Sequence, residues 1–332
     1  MNHSSLREEL QQMALAARLY YEEDRTQQEV ANVLGVSRPT VSRLLERAKE
    51  ERIVTITVKN PFESDTALAD RLCKATGLAQ AIITPAVVNA TEVNMRRLGI
   101  SAARYLESTL KPEDVMGVGW GRTLYSVVQS IVSKPISGVT LVPLMGSLGQ
   151  VSPSFQVNEL IRRMAESFDG KWHLFFLPAI VAEKGVKASL LASKDTKKVT
   201  GIWKNLTTAL VGIGNVDFDT EMTMLFLDYL DATTRRRLME AGAVGDICMR
   251  FFDKDGAPVK DGLHGVLSIS LEQLRRVPNV IGVAGGTHKT SAILGAIRGK
   301  YIKTLITDDI TAHSILSTLG GQKRDSRQAD KA

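Results

Sequence analysis

Residues 26–47, TQQEVANVLGVSRPTVSRLLER, constrain this chain more than any other stretch, because their capping, turn and apolar signals specify a helix-turn-helix. Thr26 followed three residues later by Glu29 is a capping box, in which hydroxyl and carboxylate each satisfy a backbone N–H at a helix start. Val30, Ala31 and Leu34 then fall on one helical face, and Gly35 supplies the positive φ at which the helix ends and turns. Ser37 can cap a second helix, and Pro39 is tolerated in a first turn that has no N–H partner to lose. Val41, Leu44 and Leu45 form the buried face of that helix. Its other side carries Arg38, Thr40, Ser42, Arg43 and Arg47, which with Ser37 and with Thr26, Gln27 and Gln28 at the first helix start are candidate contacts to phosphates and base edges of double-stranded DNA. An ordinary helical hairpin with a solvated basic face is the alternative; small Ala31 at the crossing, Gly35 four residues on and buried Val41 six after that argue against it.

Length requires more than this head, since 332 residues are expected to hold about two domains. No apolar run approaches the ~20 residues of a membrane span, and the start MNHSSLREELQQ lacks the apolar region of a signal peptide, so a cytoplasmic location without membrane contact is expected. Charge is less informative than its total suggests. The net +6 lies entirely beyond residue 60, because residues 1–60 hold nine basic and nine acidic side chains. The DNA reading therefore rests on the local geometry of the second helix. Cys73 and Cys248 stand far apart, without a CxxC, and the five histidines (His3, His173, His264, His288, His313) show no metal spacing, so no metal site or disulfide is expected.

Within the head, residues 7–21 carry Leu10, Met13, Ala14, Ala17 and Tyr20 on one helical face. Residues 53–59, IVTITVK, alternate as a half-buried strand does and suggest a wing. Pro61 ends that run, so the domains are 1–60, a winged helix-turn-helix, and 61–320, followed by a polar tail at 321–332 expected without regular structure. Beyond residue 60, helices are expected at 64–76, 92–110, 123–132, 157–168, 235–241, 289–298 and 312–319. Short apolar strands are expected at 81–84, 115–118, 139–144, 173–177, 206–212, 280–284 and 304–307. This alternation predicts an α/β domain with a parallel sheet covered on both faces.

In such sheets ligands bind at the carboxyl ends of strands. Two loops there are glycine-rich. The first, Gly117-Val118-Gly119-Trp120-Gly121-Arg122-Thr123, combines close backbone approach and free helix N–H groups with a cation and a hydroxyl, a combination suited to a phosphate. The second, Gly285-Gly286-Thr287-His288-Lys289-Thr290, adds a lysine for the same anion. Neither is a Walker A or GxGxxG loop, so no nucleotide cofactor is expected; tight strand-to-helix turns are the plainer alternative. Gln156, Asn158 and Asp246 could hydrogen-bond sugar hydroxyls, with capping or turn roles as alternatives, and Asp308 and Asp309 suit helix capping better than acid–base work.

From QQEVANVLGVSRPTVSRLLERAKEERIV through GVGWGRTL, LVPLMGSLG, ALVGIG, GAVGDICMRFFD and GVAGGTHKTSAILGAIRG to LITDD, the chain resembles the SorC family of bacterial sugar-responsive transcriptional regulators. The resemblance implies a winged head joined to a Rossmann-like, sugar-phosphate-isomerase-like (NagB/RpiA/CoA transferase-like) effector domain, a homotetramer, and a phosphorylated sugar or polyol as effector. It matches the family's phosphate loop to Gly119, Gly121, Arg122 and Thr123, its second anion contact to Lys289 beside Gly285 and Gly286, and its hydroxyl contacts to Gln156 and Asp246. Some relatives carry arginine where this chain has Met145, next to Gly146 and Ser147, a departure that argues against a doubly phosphorylated effector. Ile180 stands where many relatives have proline. Two rival functions share these residues: a sugar-phosphate isomerase or deaminase with an added head, and an architectural DNA-binding oligomer without an effector.

Overall fold

A computed structural model describes residues 3–51, 53–54, 65–149, 153–181, 183–216, 231–259 and 265–329. It divides the chain into two compact units, Met1–Asn60 and Pro61–Ala332.

The first unit contains α1 (His3–Tyr21), α2 (Gln27–Leu34) and α3 (Arg38–Glu50). The capping box at Thr26 forms as expected: Glu29 N donates to Thr26 Oγ1 at 3.3 Å, and Thr26 N donates to Glu29 Oε2 at 2.8 Å. Gly35 closes α2 at φ 65°, and Ser37 caps α3 by accepting from Thr40 N at 3.3 Å. Met13, Ala16, Val30, Ala31, Val41, Leu44, Leu45 and Ala48 pack into a core of their own. The wing strand expected at 53–59 lies, from residue 55 on, outside the described residues.

The second unit opens with α4 (Thr66–Thr76), β1 (Gln80–Thr84), α5 (Thr91–Thr109), β2 (Val115–Val118), α6 (Arg122–Ser130), β3 (Thr140–Pro143), α7 (Val157–Phe168) and β4 (Lys171–Trp172). It continues with α8 (Lys184–Ala192), α9 (Lys194–Ile202), β5 (Thr208–Gly212), β6 (Gly214–Asn215), α10 (Ala232–Glu240), β7 (Ala243–Ile247) and β8 (Arg250–Asp253). The last elements are α11 (Leu271–Arg276), β9 (Asn279–Val283), α12 (Thr290–Arg298), β10 (Thr304–Asp308) and α13 (Asp309–Ala329). Seven strands form one parallel sheet in the order β1-β10-β9-β5-β2-β3-β4. Consecutive β3 residues serve opposite faces: Leu141 joins the core with Leu98, Leu106, Leu124 and Phe168, whereas Val142 joins Ile83, Val211 and Leu305. The strands are therefore apolar runs without alternation, which is why they stand out in the sequence. No helix among the described residues is long and apolar enough to cross a membrane.

Two expectations are corrected, and two stretches without one prove to be structured. The strand expected at 173–177 is the two-residue β4 at Lys171–Trp172, because Asn158 ties Phe175 instead, accepting from Phe175 N at 3.0 Å. Helices α8 and α9 occupy a stretch with no assigned structure, where most side chains are exposed and leave little apolar periodicity. Residues 243–247, also without assigned structure, are β7, the middle strand of a small antiparallel sheet β6-β7-β8. The last helix does not stop at 319 but continues to Ala329, since the glutamine, lysine and arginine beyond the Gly320-Gly321 pair are good helix formers.

Candidate functional site

On α3, Val41, Leu44, Leu45 and Ala48 are buried, and the opposite side presents Ser37, Arg38, Thr40, Ser42 and Arg43, all exposed. Arg47 is half-buried. Some of these groups are already engaged: the Thr26 hydroxyl contacts Glu29 Oε2 at 2.8 Å, Ser37 Oγ and Thr40 Oγ1 share a hydrogen bond of 2.8 Å, and Gln28 Nε2 donates to Asn32 Oδ1 at 3.3 Å. Thr26, Gln27, Gln28 and Arg38 also line a polar cleft of about 660 Å³ with Tyr20 and Tyr21. Cations and short hydroxyls on a solvated helix face provide both phosphate and base-edge donors.

In the second unit the carboxyl ends of β9, β5, β2 and β3 lie side by side, and the loops that follow them meet there. Gly119 N donates to Leu210 O at 2.8 Å, and a Cβ at Gly119 would lie 3.4 Å from Cys248 Sγ. Gly121 is the N-cap of α6 at φ 115°, a backbone open to glycine, and no side chain caps that helix. Thr123 lies half-buried at the helix start. Across the sheet, Gly286 adopts φ 100°, and its N–H donates to Asp308 Oδ2 at 3.0 Å and Thr311 Oγ1 at 2.7 Å. A Cβ on Gly285 would stand 2.3 Å from Asp308 Oδ2. Asp308 also caps α13, accepting from Thr311 N at 2.7 Å, so the capping role expected for it extends to holding the second glycine loop.

Lys289, on the second loop, and Asp246, on β7, are both buried, and each charge is felt by the other. Lys289 is 6% exposed and donates from Nζ to Ile213 O at 3.0 Å; Asp246 is 4% exposed and accepts from Met249 N at 2.9 Å. A Cβ at Gly214 would lie 2.0 Å from Asp246 Oδ1, so glycine opposite is what admits the carboxylate. Burial pushes the Asp246 carboxyl up to about 6, against the pull of the Met249 N–H and the Lys289 charge. Burial brings the Lys289 ammonium down to about 8, with Asp246 opposing. The pair is a buried amine and acid, each short of partners for its charged form.

The turn that supports Asp246 could not be read from the sequence. Ile247 pairs with Arg250, so Cys248 and Met249 form a two-residue hairpin turn, both at positive φ (51° and 61°). Such turns favour Asn-Gly, and holding two side-chain-bearing residues there costs roughly 1–2 kcal/mol each. Insertion of Cys248 and Met249 into the core, 5% and 1% exposed, and the Met249 N–H on Asp246 offset the strain.

Other expected residues are placed differently. Arg122 turns toward α5 and pairs with Glu92. Gln156 binds the backbone of Leu148 through both ends of its amide, so it braces the loop after β3. Gly146 N donates to Leu267 O at 2.9 Å, and a Cβ there would meet Pro178 O at 2.4 Å. Ser147 N donates to Leu177 O at 2.7 Å, and its hydroxyl accepts from Asn158 Nδ2 at 3.3 Å. Gly146 and Ser147 therefore anchor a packed loop. Gly119, Gly121, Thr123, Asp246, Gly285, Gly286 and Lys289 remain the candidate site, whereas Arg122 and Gln156 are engaged elsewhere.

Residues 60–317 match the family model described as "Putative sugar-binding domain", and residues 9–50 match that of sigma-70, region 4. The chain is 35% identical over 317 residues to the deoxyribonucleoside regulator of Bacillus subtilis (strain 168), covering 94% of this chain and 99% of that one. It is 32% identical over 303 residues to the sorbitol operon regulator of Klebsiella pneumoniae, covering 90% and 96%. The crystal structure of that full-length regulator, SorC, matches with a TM-score of 0.73 at 32% identity, over 92% of this chain and 98% of that one.

Proposed function

The chain belongs to the SorC family of sugar-binding transcriptional regulators, and from that premise we propose that a small phosphorylated sugar or polyol controls its affinity for operator DNA. The observation that carries this reading is the buried Lys289 ammonium on the second of two glycine loops at the carboxyl ends of the sheet, in a chain whose other unit presents a basic recognition helix. In the proposed complex the free N–H groups at the start of α6 and the Thr123 hydroxyl hold the phosphate, Lys289 neutralises it, and Asp246 accepts from a sugar hydroxyl. Arg122 reaches the same phosphate on leaving Glu92. The working form is a homotetramer in the cytoplasm, and no catalytic step is assigned.

Arg43 lies on the solvent side of α3, and we place it against a base edge. Arg43→Ala is then expected to weaken operator binding by roughly 1–3 kcal/mol and to relax discrimination at one base pair. Fluorescence anisotropy on selected upstream fragments at two salt concentrations checks this. No sequence preference of the wild-type chain for any such fragment would sink the reading.

One observation favours a second reading. A buried acid at about 6 beside an amine at about 8 is the kind of pair that general acid–base enzymes hold. Steady isomerisation or deamination of an added sugar phosphate would favour an enzyme; we expect binding without turnover.

A further inference from the structure

The surplus positive charge of the chain is concentrated on one face of the second unit. Residues 184–204, KGVKASLLASKDTKKVTGIWK, hold six lysines and one acid, Asp195, a net +5 of the chain's +6. On α9 these charges are sorted onto one side. Thr196, Val199 and, just past the helix, Trp203 are buried. Trp203 is fixed from two directions, since its Nε1 donates to Pro143 O at 2.8 Å and its ring meets Phe175 edge to face at 5.9 Å. Ser193 caps the helix by accepting from Thr196 N at 3.3 Å. With that stripe held in the core, Lys194, Lys197 and Lys198 fall at i, i+3 and i+4 on the opposite side, all exposed, as is Lys204. None of these four lysines makes a hydrogen bond or an ion pair among the described residues. Asp195 is exposed in the first turn, where it suits the N–H end of its own helix, and it pairs with none of them.

A charged helix face is often only a solvated one, and two observations point further. Like charges one turn apart disfavour a helix, yet Lys194 and Lys198 stand at that spacing without an acid between them. The DNA-reading head, in contrast, is neutral: residues 1–60 hold nine basic and nine acidic side chains, so the net attraction of this chain for a polyanion comes from the second unit. A row of exposed ammonium groups without counter-charges suits a row of phosphates, which duplex DNA supplies at one charge per ~3.4 Å of each strand. Ammonium groups meet phosphates as point charges and read no base. We propose that Lys194, Lys197 and Lys198, with Lys204 beside them, form a second contact to the phosphate backbone of duplex DNA. It adds affinity without sequence discrimination to the contacts of the recognition helix. The inference rests on the chain being an operator-binding regulator and adds a contact outside the head.

Anisotropy titrations of the full chain on a selected upstream fragment and on a scrambled duplex of the same length, over about 50–200 mM salt, test it. The triple variant Lys194→Gln/Lys197→Gln/Lys198→Gln removes three charges and keeps good helix formers on an exposed face. Its slope of log affinity against log salt is expected to be shallower than the wild type's by about 2–3 per chain bound, on both duplexes. The ratio of the two affinities should stay within about twofold, because phosphate contacts weaken all sequences alike. Lys204→Gln, outside the helix and so a check should the triple variant fail to fold, is expected to lower the slope by about 1. A dispersed variant, Lys74→Gln/Lys111→Gln/Lys254→Gln, makes the same change in net charge at exposed lysines elsewhere and should keep the wild-type slope. A wild-type slope in the triple variant and in Lys204→Gln, or an equal fall in the dispersed variant, overturns the lysine stripe as a DNA contact and leaves the head as the reader. Equal affinity of the wild-type chain for the two duplexes would remove the operator reading instead, and the slopes would still decide the stripe.

Discussion

Lys289→Met is expected to weaken fructose 6-phosphate binding about a hundredfold, since it removes a charge-assisted hydrogen bond worth roughly 1.5–3 kcal/mol. Methionine is the informative replacement because it keeps the volume of a side chain that is 6% exposed and changes only its charge and its donor to Ile213 O. Truncation to alanine would add a cavity. The loss should be confined to the second unit: operator affinity without sugar is expected to match the wild type, and the response to sugar phosphate to disappear. Calorimetry of sugar binding with anisotropy of DNA binding separates the two. A Lys289→Met chain that still answered to sugar phosphate would remove this lysine from the effector site.

The second large effect concerns pH. The Asp246 carboxyl is raised from its ordinary 3.8 to about 6, so between those values the folded chain holds a proton that the unfolded chain has released. Stability therefore falls as pH rises from about 4 to about 6. Lys289 is lowered from 10.5 to about 8, so stability returns only as pH climbs from about 8 toward 10.5. Between about 6 and 8 the charged pair costs the fold most, roughly 1–3 kcal/mol from Asp246 alone. Relative to wild type, Asp246→Asn should melt about 3–6 °C higher at pH 7 than at pH 5, because asparagine keeps the acceptor for Met249 N without the charge. The same window suits the effector, whose phosphate is doubly charged above about pH 6. Affinity should decline above about pH 8 as Lys289 loses its proton. A melting difference independent of pH would mean that Asp246 titrates as an ordinary carboxylate.

The head was legible because its signals are local: Thr26 with Glu29, then Gly35, then Ser37 with Pro39, each acting within a few residues. The parallel sheet was legible because strands buried on both faces become apolar runs. Local sequence carried far less about the partners of the site. Glycines 119, 121, 285 and 286 marked the loops, yet nothing near Arg122 pointed to Glu92, and Gln156 gave no sign that it would bind Leu148. The hairpin beneath Asp246 was hidden for a different reason. Its turn uses Cys248 and Met249 where glycine or asparagine would announce a reversal, and only tertiary burial holds them there.

In the proposed mechanism the sugar site and the DNA-reading head share one free-energy balance. Linkage requires that if a sugar phosphate changes operator affinity by some factor, operator DNA changes sugar-phosphate affinity by the same factor. Measuring both on the full chain, operator binding with and without saturating sugar phosphate and sugar-phosphate binding with and without operator, tests that claim most directly. The two factors are expected to agree and to lie within about 5–150. Operator affinity that stays the same at saturating sugar phosphate would contradict it.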